Sequence, residues 1–142
     1  MPRSERRGAV AGKSGWLAER EHDVCVTPEE FVDAIRAGVF EAAVDDTHLN
    51  LMDPPGRRPH ENLVRLSEWY RGLAENDREL VLSVARESAH ATVFGFFAVL
   101  DGARQIEGVG LKGTLRLTYV SPSGDEEVLN APGNPLHDLF NS

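Results

Sequence analysis

Residues 76–100 read NDRELVLSVARESAHATVFGFFAVL, and how this stretch folds decides the architecture. Its first half is amphipathic. Leu80, Val81, Val84 and Ala85 alternate with Arg78, Glu79, Arg86 and Glu87 at helical spacing. Its second half, Ala91 to Leu100, is apolar nearly all round, as in a central, buried helix. A buried strand is the competing reading, because Val93, Phe94, Phe96, Phe97 and Val99 favour strands. No turn signal separates the two halves, so one helix is expected, capped by Asn76 or Asp77 and ended by Asp101 and Gly102. An apolar run of about ten residues falls short of the ~20 needed to span a bilayer.

Two helices are expected upstream. Thr27 and Glu30 form a capping box around Pro28, and Phe31, Ile35, Val39 and Ala42 then repeat on one stripe. That pattern fades at Asp45 and Asp46. Residues 47–59 carry Pro54, Pro55, Gly56 and Pro59 and are expected as a loop, with Leu49, Leu51 and Met52 tucked back onto the core. A second helix over about 60–73 places Leu63, Leu66, Tyr70 and Leu73 on one face.

Downstream the period changes to two. Leu115, Leu117 and Tyr119 alternate with Thr114, Arg116 and Thr118. Ser121 to Asp125 make a turn, and Glu126 to Leu129 return, giving a hairpin over 114–129. A third strand is expected near 105–109, and Leu136, Leu139 and Phe140 predict a last helical turn. The fold class is α+β: three main helices packed with a small C-terminal antiparallel sheet and a short terminal helix.

The 142 residues point to one domain able to bury a core without disulfide or metal. The single cysteine, Cys25, excludes an internal disulfide framework. The charge is uneven. Residues 1–20 hold five basic and two acidic side chains, and residues 21–142 hold ten basic and 21 acidic ones. A flexible basic arm over 1–20 is therefore expected before an acidic α+β domain over 21–142. An acidic body repels nucleic acid and anionic membranes and attracts basic surfaces.

Four motifs suggest chemistry, each with a plainer alternative. Gly12-Lys13-Ser14 matches the end of a phosphate-binding loop, but Arg7 stands where that loop needs glycine and no strand precedes it. Glu87 and His90 are spaced to share a metal on one helical face, yet a helical di-metal site needs two such pairs and two more carboxylates. His48 near Asp45, Asp46 and Asp53 has the elements of a general acid–base pair, with no nucleophile in sight. His22 and Cys25 provide two ligands where a structural zinc needs four. The plainer readings are a surface Glu87 beside a partly buried His90, solvated loop charges, and a half-buried Cys25. No cofactor is implied.

Asp45 and Asp46, and Asp125, Glu126 and Glu127, form two acidic clusters. These five residues are the candidate binding site for a basic protein partner, such as a nuclease toxin.

The order Trp69-Tyr70, then Phe94-Gly95-Phe96-Phe97-Ala98-Val99-Leu100-Asp101-Gly102, then Leu136-His137-Asp138-Leu139-Phe140-Asn141 runs through the C-terminal part of the chain. It resembles a pattern in small uncharacterised bacterial proteins, some of them similar in style to immunity proteins that neutralise toxins. With the acidic body, the acidic clusters and the lack of a catalytic set, the expectation is a non-enzymatic, cytoplasmic protein-binding domain of immunity or adaptor type. The resemblance carries over no functional residue, since no catalytic motif attaches to the pattern. The alternative is a small metal-dependent enzyme using Glu87 and His90 or the His48 loop.

Overall fold

Thr27 starts the first helix as its sequence requires. Its side-chain oxygen accepts the Glu30 N–H at 3.2 Å, and the Glu30 carboxylate accepts the Thr27 N–H at 3.0 Å. The structure, a computed structural model, describes residues 25–142. The expected arm over 1–20, Gly12-Lys13-Ser14 and His22 lie outside the described residues.

Helix α1 (Pro28–Ile35) passes through a π-helical turn (Arg36–Glu41) into α2 (Ala42–Met52). The wide turn inserts backbone and rotates the apolar stripe. Val39, expected on the buried face, turns out to 48% exposure, and Phe40 goes in with Val32 and Val44. The helix also runs on where a loop was expected over 47–59. The irregular stretch is only Asp53 to His60, and His48 sits on α2. Packing against the next helix supplies what the weak local pattern lacks, and the helix stops only where Pro54 and Pro55 remove its donors. Leu51 is buried as expected, but Leu49 is 61% exposed and Met52 is exposed too.

Helix α3 (Glu61–Gly72) lies against α2 and buries Ser67 and Tyr70. Helix α4 (Glu75–Leu100) is helical throughout, so the strand reading of 91–100 is overturned. Its N-cap is Ala74 rather than Asn76 or Asp77. Glu75 and Asp77 instead occupy the first turn, where negative charge complements the helix dipole. Phe31 meets Phe97, Phe40 meets His90, and Glu41 meets Arg86, so α4 runs antiparallel to α1–α2. Gly95 faces the Arg104 side chain; a Cβ there would stand 2.9 Å from Nη1. Gly102, at φ 73°, supplies the left-handed residue that ends α4.

Only three residues of each hairpin arm pair. Strand β1 (Thr118–Val120) runs antiparallel to β2 (Glu126–Val128), with Tyr119 opposite Glu127. The third strand expected near 105–109 does not form. Residues 103–117 are irregular, because three glycines interrupt an apolar pattern that finds no facing surface. Helix α5 (Leu136–Asn141) returns across α1 and α4. Phe140 is fully buried at its centre, edge-on to Phe40 at 5.7 Å and to Phe97 at 5.6 Å. Val32, Phe40, Val44, Phe97, Leu136 and Phe140 form the main core. The result is a helical body with a two-stranded antiparallel sheet, an α+β fold. Among the described residues no helix is long and apolar enough to cross a membrane.

Candidate functional site

The two acidic clusters sit at different places. Asp125, Glu126 and Glu127 belong to the hairpin, with Asp125 and Glu127 in electrostatic reach of Cys25, three residues before α1. Burial raises the Cys25 thiol pKa, and the nearby charges of Glu127 and Asp125 raise it further. Asp45 and Asp46 stand exposed on α2, about 25 Å along the helix from Pro28 at ~1.5 Å per residue. The structure therefore does not bring the five acids into one patch. Asp125 also has local work. Its carboxylate accepts the Ser123 hydroxyl at 2.8 Å, and its N–H donates to Ser121 Oγ at 3.0 Å. Glu126 is exposed and Glu127 half-buried, so these two are the free acids of the hairpin.

Among the described residues the acidic excess is not neutralised from within. Residues 25–142 hold 19 acidic and ten basic side chains. Among the described residues Glu41 alone pairs with an arginine or lysine, in a two-pronged contact with Arg86 that includes Nη1 to Oε1 at 2.9 Å. This contact holds the Glu41 carboxyl below the usual glutamate range. Other arginines are committed to backbone. Arg78 donates to the Leu73 carbonyl from Nε at 3.1 Å and from Nη2 at 3.0 Å. Arg36 donates to the Leu139 carbonyl at 3.1 Å and lies over the Phe140 ring at 4.9 Å. Arginines that cap helix ends leave acids facing solvent.

A second feature was not anticipated as a site. Asp101 follows α4, and its side chain is almost wholly buried. Oδ2 accepts the backbone N–H of His137 at 2.9 Å and meets its ring Nδ1 at 2.6 Å. The acceptor places the ring proton on Nδ1 and leaves Nε2 as the open nitrogen, 3.5 Å from Asp138. Asp101 Oδ1 is buried without a hydrogen-bond partner. The arrangement resembles the orienting half of an acid–base site. Among the described residues it has no hydroxyl or thiol hydrogen-bonded to Nε2. Its evident work is to fasten α5 to the end of α4. The signal lay in Asp101-Gly102 and Leu136-His137-Asp138, but a pair 36 residues apart has no local spacing that could announce it.

The remaining candidates have structural partners. His48 Nδ1 meets the hydroxyl of buried Tyr70 at 3.0 Å, joining α2 to α3. His90 is half-buried and lies flat against Phe140, with ring centroids 5.0 Å apart, while Glu87 is exposed. Among the described residues no three His, Cys, Asp or Glu side chains converge as a metal-ligand set. Comparison with known proteins finds no matching family model, no matching curated protein and no matching solved structure.

Proposed function

We propose that the chain is a non-enzymatic protein-binding domain, of bacterial immunity or adaptor type, that engages a basic protein partner. The observation that carries this reading is the uncompensated negative charge: 19 acids against ten cations over 25–142, with only Glu41 ion-paired to an arginine or lysine among the described residues. Such a surface steers a basic partner and sets its orientation more than its residence time. Glu126 and Glu127 are the contact acids of choice, since Asp125 is engaged in the turn.

The test begins with a tagged pull-down from host lysate at low and at high salt, read by mass spectrometry. One dominant basic protein, lost at high salt, is expected. Its association rate is then measured against Glu126→Lys/Glu127→Lys. A roughly tenfold slower association with stability held within about 0.5 kcal/mol supports the reading. An unchanged rate removes the hairpin acids from the interface, and an acidic partner overturns the proposal.

A further inference from the structure

The hairpin is only half used as a sheet. Leu117 and Leu115, just before β1, turn backbone groups toward the β2 side. The Leu117 carbonyl accepts the Leu129 N–H at 2.9 Å. Beyond that bond the Asn130 side chain takes the place of a neighbouring peptide. Its Oδ1 accepts the Leu117 N–H at 2.8 Å, and its Nδ2 donates to the Leu115 carbonyl at 3.0 Å. Alternate residues of an extended chain point their N–H and C=O groups to opposite edges. Thr114, Arg116 and Thr118 therefore face away from β2. Among the described residues, the N–H and C=O groups of Thr114 and Arg116 have no hydrogen-bond partner. They form an open strand edge whose natural complement is another strand.

The side chains along the edge say which strand. Lys112, Arg116 and nearby Arg104 make residues 103–119 locally basic within an acidic body. The single acid there, Glu107, is occupied by the Gly113 N–H at 2.9 Å. Apolar surface lies beside the same edge. Leu115 is 42% exposed and Ile106 64% exposed, and both line a cleft between 104–107 and 112–115.

We propose that the edge 114–120 binds an extended peptide segment that alternates apolar and acidic residues, added to β1 as a further strand. Its backbone pairs with Thr114, Arg116 and Thr118, its apolar side chains continue the Leu115–Leu117–Tyr119 face, and its carboxylates meet Lys112 and Arg116. This edge is the side of β1 away from β2, which carries Glu126 and Glu127, and its chemistry is opposite in sign. A second copy offering its own edge 114–120 brings cations to cations and fits less well.

The probes are two capped nonapeptides, one alternating valine and glutamate and one alternating valine and lysine, titrated by fluorescence anisotropy. The glutamate peptide is expected to bind at least tenfold more tightly. Arg116→Pro removes an outward N–H while leaving the bonds of residues 115 and 117, and it is expected to abolish binding. Arg116→Glu keeps the backbone and is expected to reverse the peptide preference, so it carries the test if the proline variant does not fold. Equal affinity for both peptides, no binding of either, or full binding by a folded Arg116→Pro overturns the proposal. Self-association of the wild type that Arg116→Pro removes overturns it too, by giving the edge to a second copy.

Discussion

One carboxylate oxygen of Asp101 receives both the backbone and the ring of His137, at 2.9 and 2.6 Å, in a site nearly closed to water. Buried polar groups of this kind contribute little while paired and cost much when orphaned. Asp101→Ala leaves two donors of His137 without their acceptor, and the expected loss is about 1.5–3 kcal/mol in urea unfolding. His137→Ala removes the ring donor but keeps the backbone N–H on the carboxylate, so its expected loss is the smaller of the two, about 1–2 kcal/mol. A loss below about 0.5 kcal/mol for both variants shows that the couple does not fasten α5, because that is the range of ordinary surface changes. Other single residues were readable beforehand. Thr27, Pro28 and Glu30 form the capping box they spell, since a cap is satisfied within one turn of its own sequence. Half-buried Cys25, half-buried His90 and exposed Glu87 also stand as their plainer readings had them.

At the scale of elements, Asn130 is the side chain on which the hairpin depends. It joins Leu117, Leu115 and the Leu100 carbonyl, the last at 2.6 Å, so it ties the sheet to the end of α4. Asn130→Ala removes three hydrogen bonds and is expected to cost about 1–3 kcal/mol. Asn130→Asp keeps an acceptor for Leu117 but turns a charge onto two carbonyls, so it is expected to be no milder. Amide exchange at Leu117 and Leu129 reads the effect directly. Protection unchanged in both variants rules out this role for Asn130. The element boundaries also show where pattern reading stops. The π turn moves Val39 outward and Phe40 inward, a rotation of the kind that periodicity alone cannot foresee. The extension of α2 to Met52 depends on α3 lying alongside, with His48 against Tyr70.

For the whole molecule, charge is the property that most distinguishes the chain. Hydrogen bonding dominates the lowered pKa values of Glu29, Glu41 and Glu107: own-backbone and Asn134 contacts for Glu29, Arg86 for Glu41, and the Gly113 N–H for Glu107. A carboxyl depressed in the folded state stabilises fully above its unfolded value, about 4.3, and loses that contribution as pH falls through the folded value. Neutralising the other acids relieves repulsion over the same range, so the informative quantity is a difference. Between pH 6 and pH 3 the melting temperature of the wild type is expected to fall further than that of Glu29→Gln/Glu41→Gln/Glu107→Gln. Parallel pH profiles for the two proteins contradict this account.

Element types that repeat over many residues were legible in the chain before any fold was known. The long helix over 75–100, the helix over 61–72, the hairpin turn and the terminal helix all follow from periodicity and caps that act within a few residues. The acidic balance was legible too, since it is a count and needs no coordinates. Tertiary structure alone decided what depends on distant partners. It continued α2 through a segment with weak local pattern, left 105–109 without a strand, and joined Asp101 to His137 across 36 residues. It separated the two acidic clusters and, among the described residues, left the edge of β1 open. The physical reason is range. Propensity, capping and period act over one or two turns, whereas burial, ion pairing and strand partnership are settled by whichever surface the folded chain brings alongside.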